Sequence, residues 1–400
     1  MSGLSKRVGL IRVSPSAAAA QRVRDLKAEG RKILDLTIGE PDFDTPVHIK
    51  EAAIAAIQRG DTKYTPVNGI PALRKAIAGK LKQRSGYAYD PARITVGGGA
   101  KQIIFLALTA TLDPGSEVII PAPYWVSYPD MVAGNDGTPV IVTCSENQHF
   151  KITAQQLEAA ITPKTRWLIL NTPSNPTGVA YTADELLGIT AVLARHPHVG
   201  VLTDEIYDEL WYEPDAIASL VQVAPQLADR VLVVNGVSKT YAMTGWRIGY
   251  AAGSKPLIDA INVLQSQSSS CPSSISQHAA VAALTGPQAI VGDYARAYGR
   301  RRDMAVTMLN AIPGIRCINP SGAFYLFPSC AGVLGRLTPD GQRIETDQDF
   351  VMHLLDEASV ATIHGTAYGL PGYFRMSIAT AEGVLRESCE RIAEVCGNLV

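Results

Sequence analysis

Lys239 and Arg247 lie eight residues apart in Ser238-Lys-Thr-Tyr-Ala-Met-Thr-Gly-Trp-Arg-Ile-Gly249. The lysine follows the apolar run Val231–Val234, and the arginine opens another such run. An amine at a strand end, enclosed by apolar groups and close to a cation, gives up its proton and becomes a nucleophile. A guanidinium offers a planar fork suited to a phosphate. For either residue alone, a solvated loop lysine or a strand-edge arginine explains the sequence equally well.

Four further local patterns bear on the same chemistry. Val201-Leu-Thr-Asp-Glu-Ile-Tyr207 sets Asp204 at the end of an apolar run, with Tyr207 three residues on. A buried carboxylate there needs a partner, and a pyridine ring nitrogen would supply one. At roughly 4 Å and an effective dielectric of about 20 the attraction is about 4 kcal/mol, or about three pKa units. That keeps such a nitrogen protonated near neutrality. Asn171-Thr-Pro-Ser-Asn-Pro-Thr-Gly178 is a rigid turn that presents Asn175 as a donor, with Pro173 or Pro176 open to the cis form. Gly97-Gly98-Gly99-Ala100-Lys101 joins the run Ile94–Val96 to a helical pattern, so its backbone N–H groups can meet a phosphate. Phe374-Arg375-Met-Ser-Ile378 puts an arginine inside an apolar strand, where a substrate carboxylate or a structural acid must pair with it. A helix cap for Asp204, a packed ring for Tyr207 and an ordinary turn at Asn175 are the plainer alternatives. Taken together, an amine nucleophile, a phosphate anchor and an acid for a ring nitrogen are what holding pyridoxal 5'-phosphate as a Schiff base requires.

Parallel strand ends could bring these residues to one edge. Val118–Ile120, Val140–Val142, Trp167–Leu170, Val199–Thr203, Val231–Val234 and Ile248–Ala251 are short β-branched runs. They alternate with helical spacing over Ile49–Gln58, Ile70–Arg84 and Gln102–Thr111. Alternation of this kind predicts an α/β fold, a mainly parallel sheet between helices, with chemistry at the carboxyl ends of the strands. From about residue 290 the pattern changes to a charged helix over Tyr294–Leu309, strands at Phe324–Phe327 and Phe374–Ile378, and a closing helix over Glu382–Val400, which predicts a smaller α/β layer. Arg296 and Arg300–Arg302 are expected on a solvated helix face, and residues 330–346 as a surface excursion.

The 400 residues suffice for two or three domains. A net charge of −1 gives no basic field for nucleic acid or an acidic membrane. The six cysteines show no C-x-x-C spacing, so a reducing compartment and no zinc site are expected. Met1–Ile11 lacks the apolar core of a signal peptide, and no apolar run reaches bilayer length, so a cytoplasmic chain is expected. His196-Pro-His198 has no matching third ligand, and no metal is expected.

Across nearly its whole length the chain resembles the class I aminotransferases, the fold-type I pyridoxal-phosphate enzymes, nearest the bacterial aspartate/prephenate branch. The resemblance rests on Gly39-Glu-Pro-Asp-Phe-Asp-Thr-Pro46, Tyr64-Thr-Pro-Val-Asn-Gly69, Pro123-Tyr-Trp-Val-Ser127, Asn171–Gly178, Asp204-Glu-Ile-Tyr207, Ser238–Gly249 and Ser321-Gly-Ala-Phe-Tyr325. It implies a large domain over 47–290 with a seven-stranded sheet, and a small domain from 291–400 joined by the segment 1–46. It implies that Lys239 bonds the cofactor's aldehyde and shuttles the proton, that Asp204 pairs with the ring nitrogen, and that Asn175 and Tyr207 meet the ring oxygen. Trp125 would stack on the ring. Gly99, Ala100, Lys101, Ser238 and Arg247 would hold the phosphate. Tyr64 would reach the neighbouring subunit's phosphate in a homodimer, and Gly39 and Arg375, with Trp125 and Asn175, would bind substrate.

Two departures stand out. Ser14-Pro15-Ser16 replaces the basic residue that the branch carries before Pro-Ser, which leaves prephenate use open, and the phosphate turn is Gly-Gly-Gly without a serine or asparagine. Lys101 is a candidate for a distal carboxylate or a plain helix lysine. The expected activity is transfer of an amino group from an L-amino acid, aspartate or another acidic or aromatic one, to a 2-oxo acid such as 2-oxoglutarate in a ping-pong cycle. A lyase or synthase of the same fold and a non-catalytic sensor are the alternatives. A nicotinamide dehydrogenase is disfavoured by the absent dinucleotide fingerprint.

Overall fold

The computed structural model describes residues 3–12, 15–215 and 217–400. Its centre is a seven-stranded sheet: β1 (Ile94–Gly97), β2 (Glu117–Ala122), β3 (Thr138–Thr143), β4 (Thr165–Asn171), β5 (Gly200–Asp204), β6 (Val231–Gly236) and β7 (Gly249–Ala252). Strand order is β1-β7-β6-β5-β4-β2-β3. All neighbours are parallel except β7, which runs antiparallel to β1 and β6.

Alternation along each strand sends successive side chains to opposite layers. After α1 (Pro15–Ala28) come α2 (Val47–Gln58) and α3 (Pro71–Ser85), which pack with the helices Ala183–Arg195 and Ser274–Thr285 against Ile119, Leu168, Leu170, Val201, Val231 and Val233. Val118, Ile120, Trp167, Ile169, Leu202, Leu232 and Val234 face α4 (Ala100–Thr111), α5 (Tyr128–Gly134) and the helix Lys255–Ser268. Burying each such aliphatic side chain contributes ~1.5–3 kcal/mol. Because both faces are covered, the strands read as near-continuous apolar runs.

A second core gathers the helices Ala289–Asn310, Asp347–Glu357 and Glu382–Gly397 around an antiparallel sheet of Tyr325–Leu326, Phe374–Ser377 and Ile363–His364. Leu34–Asp35 pairs in parallel with Val360–Ala361, so the chain before α2 is stitched to this unit. The strap Gly39–Pro46 that follows crosses back. Phe43 stacks on Tyr294 at 4.1 Å, and Asp42 accepts two bonds from Arg301 at 2.9 and 3.0 Å. On the other side Thr45 Oγ1 donates to the Ala242 carbonyl at 2.6 Å. The helix Ala289–Asn310 departs from the expected solvated face. Arg296 and Arg300 are exposed, but Arg302 is 8% exposed, pairs with Glu213 and bonds the Pro320 carbonyl. Helical spacing puts position 302 on the inward stripe with Tyr298, Ala305 and Leu309. The excursion 330–346 is likewise not all surface, since Val333 and Ile344 are buried in the second core.

Beneath the sheet Glu205 is 3% exposed, and its Oε1 has no partner among the described residues. Burial pushes its carboxyl up to about 7, with Asp208 and Asp204 adding to the rise and Arg84 and Thr203 opposing it. The folded protein therefore binds a proton that the unfolded chain loses near 4.5. Stability falls as pH rises through 4.5 to 7, by on the order of 3 kcal/mol. Glu205→Gln is expected to raise the unfolding temperature by a few degrees at pH 8, with the gain shrinking at pH 5. Calorimetry at the two pH values checks this, and equal shifts at both would contradict it.

Candidate active site

Three parallel strands end at one cavity of about 720 Å³. β4 delivers Asn171 and β5 delivers Asp204, paired in register. β6 runs into the turn that carries Ser238 and Lys239. The same cavity is lined by Gly39, Ala100, Lys101, Trp125, Asn175, Tyr207, Arg247, Tyr325 and Arg375, so residues up to 336 positions apart converge.

The Lys239 stem is enclosed and its Nζ donates to the Gly39 carbonyl at 2.5 Å. Desolvation lowers its pKa to about 8, helped by Arg247 and Arg375 and opposed by Glu40 and Asp204. Asp204 is 4% exposed. Its Oδ2 accepts from the Tyr128 hydroxyl at 2.6 Å, and its Oδ1 sits 3.4 Å from the Ile206 N–H. Burial pushes this carboxyl up to about 6, against those two donors and the Lys239 charge.

Asn171 organises the next loop. Its side chain donates to the Asp204 carbonyl at 2.9 Å and accepts from the Asn175 N–H at 2.7 Å. Both Thr172–Pro173 and Asn175–Pro176 are cis, as is Ala122–Pro123. The Asn175 amide oxygen then accepts from Arg375 at 3.3 Å, while the other Arg375 arm donates to the Thr37 carbonyl at 2.6 Å. Arg375 stands 4.5 Å from the Tyr325 ring centroid, and its buried Nε has no partner among the described residues. Tyr207 is buried, shares a 3.0 Å hydroxyl contact with Tyr325, and is held well above the usual phenol range by burial.

At the other end, Gly99 caps the N-terminus of α4, and its φ of 100° suits glycine. A Cβ there would meet Arg247 Nη2, and one at Gly249 would meet the Ala100 backbone nitrogen. The guanidinium is held by the Thr244 and Gly98 carbonyls at 2.8 and 3.2 Å. Lys101 Nζ lies 4.7 Å from the Trp125 ring centroid, and desolvation, with Arg247 close by, lowers its pKa.

Every expected site residue lines this cavity except Gly99 and Tyr64. Gly99 forms its rim against Arg247. Tyr64 is 90% exposed and stands apart from its own chain's cavity. Ser14 lies outside the described residues. The sequence reading missed Thr37, Tyr128 and Tyr325. Tyr325 closed a quoted motif without a role, Thr37 acts through its carbonyl, and Tyr128 follows Trp125 by one helical turn.

Strand-end amine, buried acid and glycine cradle on this sheet define a fold-type I pyridoxal-phosphate enzyme. The model for aminotransferase class I and II matches residues 31–392, and the chain belongs to that family. It is an aminotransferase that uses pyridoxal 5'-phosphate. It is 55% identical over 390 residues to a probable aspartate/prephenate aminotransferase of Rhizobium leguminosarum bv. phaseoli, covering 97% of this chain and 98% of that one. The crystal structure of the aspartate aminotransferase from Rhizobium meliloti superposes with a TM-score of 0.98 at 51% identity, with all of both chains covered. The Thermus thermophilus aspartate aminotransferase with maleate gives 0.92 at 39%, over 99% of this chain and 100% of that one.

The residues present fit the cofactor. Asp204 is a buried carboxylate with no ion-pair partner among the described residues, as a cationic ring nitrogen requires. The positive φ of Gly99 disfavours a side chain, and a Cβ at Gly249 would meet the Ala100 backbone, so the turn beside Arg247 stays bare backbone, as a phosphate seat requires. Among the described residues no helix is long and apolar enough to cross a membrane.

Proposed function

We propose that this cavity transfers the amino group of aspartate, or of another acidic or aromatic L-amino acid, to a 2-oxo acid such as 2-oxoglutarate in a ping-pong cycle. When bound, pyridoxal 5'-phosphate supplies the electron sink that makes the substrate's Cα proton removable. The chain's own residues do the rest. The Lys239 amine, its pKa brought down to about 8 by burial, would hold the cofactor through its aldehyde and, when free, would serve as the base for the substrate's Cα proton. The Asp204 carboxylate holds a proton on the ring nitrogen. Asn175, Tyr207 and Trp125 line the same cavity and would hold and cover the ring. Arg247, Ser238 and the backbone N–H groups of Gly99, Ala100 and Lys101 seat the phosphate at the N-terminus of α4.

Substrate binding uses the two ends of the cavity. The unpartnered Nε of Arg375 is the observation that carries the reading, because a buried guanidinium with a free donor calls for a carboxylate. Gly39 lines the same end. Lys101, over Trp125, suits a distal carboxylate. The Thermus enzyme's maleate is itself a dicarboxylate, which supports an acidic substrate here. The exposed Tyr64 is assigned to the phosphate of a neighbouring subunit, making the active unit a homodimer in the cytoplasm. The unit of 1–46 with 291–400 closes on 47–290 and sheds water from the cavity.

A charge-assisted hydrogen bond is worth ~1.5–3 kcal/mol. Lys101→Gln is therefore expected to lower the preference in kcat/KM for aspartate over alanine by roughly 10- to 100-fold. Kinetics with both donors, against pyruvate, oxaloacetate, 2-oxoglutarate and prephenate as acceptors, test it. An unchanged ratio would remove Lys101 from substrate recognition. For Arg375→Lys, KM for donors and acceptors alike is expected to rise about 100-fold, since a point charge cannot replace the fork. A change confined to dicarboxylates would contradict that assignment.

A further inference from the structure

Tyr128 stands behind Asp204, outside the cavity lining, and is 1% exposed. Its hydroxyl donates to Asp204 Oδ2 at 2.6 Å, within the range of strong bonds between a hydroxyl and a carboxylate. The other donor to this carboxylate among the described residues, the Ile206 N–H, is long at 3.4 Å. Tyr128 opens α5, and its backbone N–H donates to the Trp125 carbonyl at 3.0 Å. The rings of Tyr128 and Trp125 meet edge to face, with centroids 5.2 Å apart and planes at 86°. One turn of chain thus supplies both the residue that covers the cofactor ring and the proton that reaches the acid behind it.

We propose that Tyr128 is a positioning residue that acts through Asp204: its hydroxyl fixes the carboxylate's rotation and keeps it ionised toward the bound cofactor's ring nitrogen. This rests on the reading of Asp204 as the ring-nitrogen partner. A carboxylate in a desolvated site tends to take up a proton. An acid that does so can no longer hold the proton on a pyridine nitrogen opposite. The Tyr128 phenol is suited to prevent this, because burial and the neighbouring Asp204 hold its own proton on well above the usual range. It stays a donor wherever the enzyme works.

Tyr128→Phe removes the hydroxyl and leaves the ring that props Trp125. Apoprotein of this variant, of Asp204→Asn and of the double variant is titrated with pyridoxal 5'-phosphate by calorimetry. The ring nitrogen of 15N-labelled cofactor is then read by NMR. Tyr128→Phe is expected to raise the cofactor Kd roughly 10-fold or more and to move the nitrogen signal toward the unprotonated position. In the Asp204→Asn background the same change should alter Kd by less than about twofold, since coupled residues lose additivity. Wild-type Kd and nitrogen signal in Tyr128→Phe would overturn the proposal, as would an equal effect in both backgrounds. Wild-type binding by Asp204→Asn alone would instead overturn the ring-nitrogen reading itself. Should Tyr128→Phe not fold, 3-fluorotyrosine at position 128, a stronger donor, is expected to move the nitrogen signal the opposite way, and an unmoved signal would count against the proposal.

Discussion

Lys239→Ala is expected to lower transamination by at least about 10⁴-fold, with the unfolding profile of the protein retained. Two functions are lost together. General-base transfer alone is commonly worth 10²–10⁴-fold, and the covalent hold on the cofactor goes with it. The position is hard to replace. Lys239 Nζ has the Gly39 carbonyl as its hydrogen-bond partner, and Arg247 and Arg375 reinforce the burial that brings its pKa down to about 8. Lys101 also lines the cavity, but it stands over Trp125 near the rim. Lys239→Arg should fail as fully as alanine, because a guanidinium does not give up its proton. Initial rates with aspartate and 2-oxoglutarate, without added amines, measure the loss. Retention of more than about a hundredth of wild-type activity would contradict a general-base role of even the smallest usual size.

Asp204→Asn is expected to lower kcat by about 10³-fold and to move KM for the amino acid much less. The attraction between a carboxylate and a ring nitrogen at roughly 4 Å, about 4 kcal/mol, corresponds to about three pKa units. Without it a pyridine ring nitrogen near neutrality is largely unprotonated, and the sink loses its pull. Arg375 and Lys101, which we assign to substrate, are untouched, so binding should be spared. Asp204→Glu keeps the charge but shifts it within a site fixed by Tyr128 and Asn171, and an intermediate loss is expected. Comparable kcat values for wild type and Asp204→Asn would show that the acid serves the fold alone.

Much of this arrangement was legible in the chain because of where its signals sit. Buried parallel strands leave apolar runs, and polar residues just past those runs, Asn171, Asp204 and Lys239, stand out against them. The six expected strands of the sheet each appear within one or two residues of their predicted limits, and β1 follows from the run at Ile94. The positioning contacts were not legible, because they join residues that carry no local mark. Tyr128 meets Asp204 from 76 positions away, and Arg375 meets Thr37 from 338. An aromatic ring in a proline turn reads as packing until its hydroxyl is given a partner. The helix at Ala289–Asn310 shows the opposite error: its charges suggested a solvent face, while the spacing of Tyr298, Arg302, Ala305 and Leu309 marked the buried stripe. Tyr64 is exposed on the single chain, and the contact we propose for it lies in a second copy, where no local mark of the sequence could reveal it.

On this reading the Lys239 amine carries the cofactor. Borohydride reduction of the pyridoxal 5'-phosphate-loaded protein, followed by digestion and mass measurement of the peptides, locates the bond. A reduced pyridoxyl group is expected on the peptide bearing Lys239, and none in Lys239→Ala. An adduct on another lysine, or no adduct from fully loaded protein, would contradict it.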